Sequence, residues 1–212
     1  MRVLKLSPKN LQKMAHYLGE EIKKGKVAVV PTDTVYGLTA DATNQKAIAK
    51  IIKIKKRQSN KPLPVFVKDF KMAKRVALIN KRQTKILKKI WPGKVTAVLT
   101  RKETSLLPSA LFAGKKTIGL RIPDYKLINL LLDILNIPLI GTSANLSGGP
   151  EPVKIKEILD QFENQKTKPD IVVDAGDLKI KKPSTVVDLT GKEIKIIREG
   201  AISKKSLFNI IK

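Results

Sequence analysis

Apolar residues recur at helical spacing in several segments of the chain. The first segment starts at the helix-start pair Ser7-Pro8 and stops at Gly25, and its apolar face is formed by Leu11, Met14, Ala15, Leu18 and Ile22. A second helix is predicted from Asn44, a good N-cap residue, to Arg57. Further helices are predicted at 69–77, 81–90, 125–135, 154–162 and 204–211.

Short runs of β-branched and aliphatic residues separate these helices and predict strands. The predicted strands lie at 27–31, 64–67, 95–99, 117–122, 138–140, 171–174, 185–189 and 193–198. Because strands and helices alternate without a linker or repeat, we expect an α/β fold, with residues 1–212 as one domain built on a mixed sheet. Pattern alone does not give the order of the strands.

Composition excludes several kinds of site. The chain has no cysteine, which rules out disulfides and thiolate metal sites. Its single histidine, His16, points away from the apolar stripe of the first helix, so histidine triads and multi-histidine metal sites are excluded as well. No apolar run approaches the roughly 18 residues of a membrane span, and the N-terminus resembles no signal peptide, so we expect a cytoplasmic protein without a membrane partner.

The chain is strongly basic, with 43 Lys and Arg against 18 Asp and Glu, a net charge of +25. Such an excess favours polyanions, here RNA or nucleotides, through counterion release. A bias towards lysine in the composition is the alternative, because 36 of the cations are lysines. The seven arginines are therefore more informative, and three of them, Arg57, Arg121 and Arg198, lie in the motifs described next.

Polar side chains follow two predicted strands, and neither a P-loop nor a G-x-G-x-x-G motif is present. Thr32-Asp33-Thr34 follows the apolar strand at 27–31, and Thr142, Ser143, Asn145 and Ser147 follow the strand at 138–140. Since ligands bind at strand ends in open α/β sheets, both stretches are candidate binding sites. The structural alternatives are an Asx or Ser/Thr turn for the first and a polar turn with a helix cap for the second.

Two further stretches supply cations. Lys55-Lys56-Arg57 ends a predicted helix, and the loop after it, 58–63, is rich in donors and lacks acids, which suits a phosphate chain. The helix dipole alone would also favour cations there. Arg121 lies within a predicted strand, where its charge needs a partner, so it binds either a carboxylate or bicarbonate ligand or a structural partner.

Taken in order, these stretches resemble a known family. "PTDTVYGL", "KKRQSNKPL", "TIGLRIPD", "TSANLSG" and "STVVDLTG" followed by "IIREGAI" look like the YrdC/TsaC family of L-threonylcarbamoyladenylate synthases, over about residues 4–202. The resemblance implies a twisted α/β sheet around a basic concave cavity. It also implies synthesis of threonylcarbamoyl-AMP from L-threonine, bicarbonate and ATP, with release of pyrophosphate, for N6-threonylcarbamoyladenosine at position 37 of tRNAs that read ANN codons.

The resemblance also implies roles for individual residues. The family's K-x-R and S-x-N signature falls on the expected catalytic residues Lys55, Arg57, Ser143 and Asn145. Positions that match ATP contacts are Lys55, Ser59, Thr117, Ser143 and Arg198. Positions that match the threonine and bicarbonate side are Thr32, Arg121, Thr142 and Ser184, and the pocket is expected to be shaped by Asp33 and Tyr36.

The family pattern is not followed everywhere. Gln58 stands where many members have Pro, Phe66 where longer members have His, and Glu151 where they have Ser. A carboxylate beside a triphosphate would be repulsive, so we expect Glu151 to turn outward. Mg²⁺ is expected to accompany ATP, with no metal site of the protein's own and no tightly bound cofactor. The short form is expected to need partner proteins for transfer to tRNA.

Two other functions fit parts of the pattern. A non-catalytic module that binds double-stranded RNA or tRNA would use the same basic cavity, although aromatic residues for stacking are few. An enzyme of the dihydroxybutanone-phosphate synthase type would need acidic metal-binding clusters, and the sequence offers none.

Overall fold

The structure is a computed structural model that describes residues 1–58, 60–179 and 182–212. Its helices are α1 Leu11–Lys23, α2 Gln45–Ile54, α3 Phe70–Val76, α4 Lys81–Ile90, α5 Lys126–Leu135, α6 Ile155–Glu163 and α7 Lys204–Ile211. Its strands are β1 Arg2–Lys5, β2 Ala28–Val30, β3 Gly37–Thr39, β4 Val65–Phe66, β5 Val95–Thr100, β6 Thr117–Arg121, β7 Leu139–Ile140, β8 Thr142–Ser143, β9 Ile171–Asp174, β10 Thr185–Asp188 and β11 Lys195–Arg198.

Helix ends follow the local capping chemistry. The Asn44 side chain accepts a hydrogen bond from the backbone N–H of Ala47 at the start of α2, and Asn80 forms a reciprocal capping box with Gln83 at the start of α4. Helix α2 ends earlier than predicted, at Ile54, because Lys56 has a left-handed backbone (φ 46°) that a helix cannot continue through. The predicted start at Pro8 is a 3₁₀ turn, and α1 itself begins at Leu11.

The strands of the described residues form two mixed sheets. The first has five strands in the order β1-β9-β2-β3-β8, and the second has six in the order β11-β10-β5-β6-β4-β7. The α/β class, the mixed strands and the flanking helices are confirmed, and the single sheet that we expected is replaced by these two.

Three strands were missed by the sequence patterns. Strand β1 is an edge strand that is largely exposed and mixes charged with apolar residues, so it carries no buried run. Strand β3 begins at a glycine, and β8 has only two residues, both polar. All three belong to the first sheet, where β1 pairs with the distant strand β9, and β3 pairs with both β2 and β8.

The core lies on the inner faces of both sheets and leaves one face of the second sheet open. Alternation along β5 and β6 buries Ala97, Leu99, Ile118 and Leu120 in the larger apolar cluster. The residues between them point the other way, and these line a cavity. A second apolar cluster joins α1 and α5 to the first sheet. Within the described ranges no helix is long and apolar enough to cross a membrane.

Candidate active site

The open face of the second sheet forms the floor of a cavity of about 510 Å³. Its walls come from the ends of β2 and β8 and from the loops after α2 and before β10. The structure brings together eight of the residues that the sequence singled out, namely Thr32, Arg57, Thr117, Arg121, Thr142, Ser143, Ser184 and Arg198. A ninth, Ser59, lies outside the described residues, so its predicted ATP contact stays a prediction.

The charged side chains that line this cavity are mostly positive. Among the described lining residues, five carry a positive charge, Arg57, Lys61, Lys115, Arg121 and Arg198, against the single carboxylate of Asp188. Hydroxyl groups of threonine and serine side chains supply most of the remaining polarity. An anionic ligand with several hydrogen-bond acceptors suits such a lining.

Arg121 is held in place by several partners at once. Its side chain is 4% exposed, its Nε donates to the carbonyl of Gly93 at 2.7 Å, and its Nη2 pairs with the carboxylate of Asp33, itself 6% exposed. Nη1 lies 3.3 Å from the Thr34 hydroxyl. Burial lowers the pKa of Arg121, and the charge of Asp33 opposes that effect. The structural partner anticipated for this arginine is therefore Asp33, and the guanidinium also faces the cavity.

The polar residues after β2 have both a turn function and a place in the cavity. The Thr32 hydroxyl donates to the carbonyl of Val35 at 2.7 Å and accepts from the backbone N–H of Thr34 at 3.1 Å, which is a Ser/Thr turn. Both Thr32 and Thr34 still line the cavity. Tyr36 was expected to shape the pocket, but it is fully buried elsewhere, and its hydroxyl donates to the Gly176 carbonyl at 2.7 Å.

Arg57 joins the α2 end to the following loop while facing the cavity. Its Nε donates to the Lys61 carbonyl at 3.0 Å and its Nη2 to the Pro62 carbonyl at 2.8 Å. Burial lowers the pKa of Arg57, and the nearby charge of Arg198 lowers it further. Two like charges that face one cavity are stabilised by an anion placed between them.

Arg198 and Ser184 form the opposite wall. Nη2 of Arg198 donates to the Ser184 carbonyl at 2.8 Å, and the Ser184 hydroxyl lies 2.8 Å from the hydroxyl of Thr96. Burial lowers the pKa of Arg198, and the charge of Glu151 opposes this. The Ser184 carbonyl therefore holds one N–H group of the Arg198 guanidinium, and the remaining N–H groups can face a ligand.

Lys55, which we expected to contact ATP, is buried behind the wall of the cavity. It is 1% exposed and is absent from the cavity lining. Its Nζ donates to the carbonyls of Ser143 at 2.5 Å and Asn145 at 2.8 Å, and to Asn145 Oδ1 at 3.1 Å. Burial, followed by the charge of Arg57, lowers the pKa of Lys55 to about 7. The ammonium group therefore fastens the end of α2 to the loop after β8.

Asn145 lies behind Ser143 in the same network and does not line the cavity either. Its Oδ1 accepts from the Ser143 hydroxyl at 2.7 Å, and its Nδ2 donates to the carbonyls of Gly149 and Pro150 at 2.8 and 3.0 Å. Asn145 thus orients the Ser143 side chain and closes the loop 146–150. Of the four signature residues, Arg57 and Ser143 reach the cavity, and Lys55 and Asn145 support them.

Replacing Lys55 with methionine is expected to lower the free energy of unfolding by about 2–4 kcal/mol, because buried carbonyl oxygens lose a charged donor. Urea unfolding followed by circular dichroism measures this. Lys53→Met, in the last turn of α2, is the control, since Lys53 is exposed. A Lys55 variant as stable as the Lys53 variant would show that Lys55 does not act as a tether.

Phe66, which we expected to depart from the family pattern, lines the cavity. The Arg121 guanidinium carbon lies 5.7 Å from the centre of the Phe66 ring, within cation–π range. The ring also packs over Gly141, where an added Cβ would come within 2.5 Å of it. Gly141 is therefore required for Phe66 to lie beneath Arg121, and an apolar ring now occupies this part of the wall.

Glu151 does not turn outward as expected. It is only partly exposed, and its Oε2 is buried without a hydrogen-bond partner among the described residues. Burial raises the pKa of the Glu151 carboxyl, and the charges of Arg198 and Lys55 oppose that rise. The charges of these two cations favour the ionised carboxylate at this half-buried position, although Glu151 itself does not line the cavity.

Several lining residues were missed by sequence reasoning. Thr96, Lys115 and Asp188 lie in or beside strands whose other face is buried. Alternation would have marked Thr96 and Asp188 as pointing away from the core, but only the sheet order shows that this face is a cavity floor. Within the described ranges, no group of three or more His, Asp or Glu residues could hold a metal ion.

Known proteins resemble this chain over nearly its whole length. A family model named Sua5_yciO_yrdC and described as "Telomere recombination" matches residues 20–200. A Methanocaldococcus jannaschii relative with a provisional threonylcarbamoyl-AMP synthase name is 36% identical over 207 residues, which make up 98% of this chain and 95% of that protein.

Two solved structures share the fold. Pyrococcus abyssi Sua5 complexed with L-threonine is 27% identical with a TM-score of 0.85, and the match covers 99% of this chain and 60% of that one. Escherichia coli YciO is 27% identical with a TM-score of 0.84, covering 98% of both chains. The chain spans about half the length of some curated relatives, 55% of the P. abyssi and 54% of the Bacillus subtilis threonylcarbamoyl-AMP synthases.

Proposed function

Because the chain belongs to the Sua5/YciO/YrdC family, we propose that it makes L-threonylcarbamoyl-AMP from L-threonine, bicarbonate and ATP, with release of pyrophosphate. The observation that carries this proposal is the convergence of three guanidinium groups, Arg57, Arg121 and Arg198, with the Ser143 hydroxyl on one cavity. Relatives that are named threonylcarbamoyl-AMP synthase and the threonine-bound Sua5 structure support it.

The proposed chemistry brings anions together and needs no histidine. The threonine amine forms a bond to the bicarbonate carbon, water leaves, and a carbamate results. A carbamate oxygen then attacks the α-phosphorus of ATP, and the bond to the departing pyrophosphate breaks. Fixed cations and hydrogen-bond donors lower the barrier by holding both anions in line and by stabilising the charge that develops at phosphorus.

The cavity residues divide into two ends in this proposal. The threonine and bicarbonate end comprises Thr32, Arg121, Thr142 and Ser184. The guanidinium of Arg121 is fixed by its hydrogen bond to Gly93 and offers its remaining N–H groups to a carboxylate. The ATP end comprises Arg57, Thr117, Ser143 and Arg198, with a predicted contact from Ser59 and with positioning by Lys55 and Asn145. Each end lies within one continuous cavity of sufficient volume for a drug-sized ligand.

Mg²⁺ enters this proposal only as the counter-ion of ATP. The described residues offer no carboxylate cluster that would hold it independently, so the phosphates would carry it into the cavity. Its chemistry there would be to neutralise charge on the phosphate oxygens, and no step above depends on a protein ligand for it.

The product is a mixed anhydride that must be consumed by a second reaction. We propose that partner proteins transfer its threonylcarbamoyl group to adenosine 37 of tRNAs that read ANN codons. The net charge of +25 favours encounter with tRNA through non-specific attraction. No defined tRNA site is assigned, because lysines are spread over the chain without interleaved aromatic residues.

Pyrophosphate release from ATP tests the proposal. We expect release that requires both L-threonine and bicarbonate, and threonylcarbamoyl-AMP as a product detectable by mass spectrometry. Serine should be poorer by roughly 1–3 kcal/mol in transition-state binding, because a pocket fitted to the threonine methyl loses that contact. Equal release without any amino acid, or RNA binding with ATP left intact, would show that the proposal is wrong.

A further inference from the structure

One carboxylate lies among the cations of the cavity and has no place in the proposed chemistry. Asp188, at the end of β10, lines the cavity together with Arg57, Lys61, Lys115, Arg121 and Arg198. A negative side chain would weaken the binding of phosphates and a carbamate, because like charges repel. Asp188 must therefore either serve the local backbone or bind a neutral part of the ligand.

The local backbone needs only one of the two oxygens of Asp188. Oδ1 accepts from the backbone N–H of Thr190 at 2.8 Å and from its hydroxyl at 2.6 Å. Asp41 makes the same turn with Thr43, where Oδ1 accepts from the N–H and the hydroxyl at 2.7 Å each, outside the cavity. Within the part of the chain that the structure describes, no hydrogen bond or ion pair reaches Oδ2 of Asp188.

The sheet register places Asp188 beside the middle of the cavity floor. Asp188 pairs with Val98 on β5, and Val98 pairs with Gly119 on β6, so the three form one row across the sheet. All three line the cavity. Two residues further along β6 in one direction lies Arg121, and two residues in the other lies Thr117. The row therefore runs between the two proposed ends, about 10 Å across two strand spacings.

This row is flat and mostly apolar apart from the carboxylate. Gly119 has no side chain, and an added Cβ there would lie 3.4 Å from the Thr96 methyl and 3.6 Å from the ring of Pro64. Val98 and Val186 complete an apolar surface next to Asp188. Such a surface suits an uncharged ring, and the nucleoside is the uncharged part of a nucleotide.

We propose that Oδ2 of Asp188 accepts a hydrogen bond from a ribose hydroxyl of the nucleotide and so selects ribonucleotides over deoxyribonucleotides. A carboxylate at the end of a strand binds a ribose hydroxyl in dinucleotide-binding folds for the same chemical reason. Hydroxyls are neutral donors, so they gain from a carboxylate where phosphates would be repelled. The inference rests on the proposed function, since it takes ATP as the ligand of this cavity.

Binding of ATP, 2′-deoxy-ATP and 3′-deoxy-ATP with Mg²⁺, measured by isothermal titration calorimetry without threonine, tests this inference. The wild-type protein should bind one of the two deoxynucleotides about tenfold to a hundredfold more weakly than ATP, the usual value of a charge-assisted hydrogen bond. Asp188→Ser should bind ATP as weakly as that deoxynucleotide, because serine keeps an acceptor for the turn but does not reach the ligand. Asp41→Ser, the same change in the matching turn, should bind like wild type.

The possible failures are distinguishable. Equal wild-type affinity for all three nucleotides would overturn the role of Asp188 and leave the proposed function standing. Inosine triphosphate, which lacks the adenine amino group, is a further probe. If it binds wild type more weakly than ATP while both deoxynucleotides bind like ATP, and if Asp188→Ser abolishes this difference, the carboxylate contacts the adenine amino group and the ribose role is wrong. Absence of any nucleotide binding would overturn the proposed function itself. The comparison in wild-type protein does not depend on the folding of any variant.

Discussion

Arg57→Ala is expected to lower kcat/KM for ATP by about a hundredfold, because a preorganised charged donor on a developing anion is worth roughly 3 kcal/mol. Arg57 lines the cavity while two of its N–H groups are fixed on the carbonyls of Lys61 and Pro62. This clamp holds the guanidinium in one orientation, so the cost of ordering it is met before the substrate arrives. Pyrophosphate release at subsaturating ATP is the measurement.

Lys56→Ala is the matched control for this prediction. Lys56 is adjacent to Arg57, carries the same charge and is exposed, and its left-handed backbone (φ 46°) is no more strained with alanine than with lysine. We expect its kcat/KM to stay within about twofold of wild type, since an exposed charge contributes little. A loss as large as that of Arg57→Ala would show that general positive charge, and not the orientation of Arg57, assists catalysis.

Local chemistry made much of the fold predictable from the sequence. Helix α4 was predicted at its observed bounds, because Asn80 caps it and its apolar residues repeat at helical spacing. Strands with long apolar runs, such as β5 and β9, were also predicted to within a residue. The division into two sheets was not predictable, because it depends on pairings between short strands that have few apolar residues. The pairing of β3 with β8 is an example.

The candidate site was predictable as a set of residues but not as a set of contacts. The acid nearest to Arg121 in sequence is Asp124, yet its buried ion-pair partner is Asp33, which lies 88 positions away. Lys55 was expected to contact ATP, and its observed acceptors, Ser143 in β8 and Asn145 in the loop after it, are roughly as distant in sequence. Motifs identify which residues converge, whereas burial and register decide which of them line the cavity and which hold the others in position.

Asp33→Ala is expected to destabilise the protein by about 3–5 kcal/mol, because it leaves a buried guanidinium without its compensating charge. Asp33 and Arg121 are 6% and 4% exposed, and the pair joins the loop after β2 to the end of β6. Burial already lowers the pKa of Arg121, and the carboxylate is the charge that opposes this effect. Urea unfolding at neutral pH measures the loss.

Glu157→Ala is the matched control, because the ion pair of Glu157 with Lys154 is 55% and 58% exposed. Exposed pairs contribute about 0–1 kcal/mol, so the control should be nearly as stable as wild type. The double variant Asp33→Ala with Arg121→Met should recover part of the loss, since no buried charge is then left unpaired. If Asp33→Ala costs no more than Glu157→Ala, Arg121 is held by its hydrogen bonds to Gly93 and Thr34 without Asp33, and Asp33 is available to a ligand.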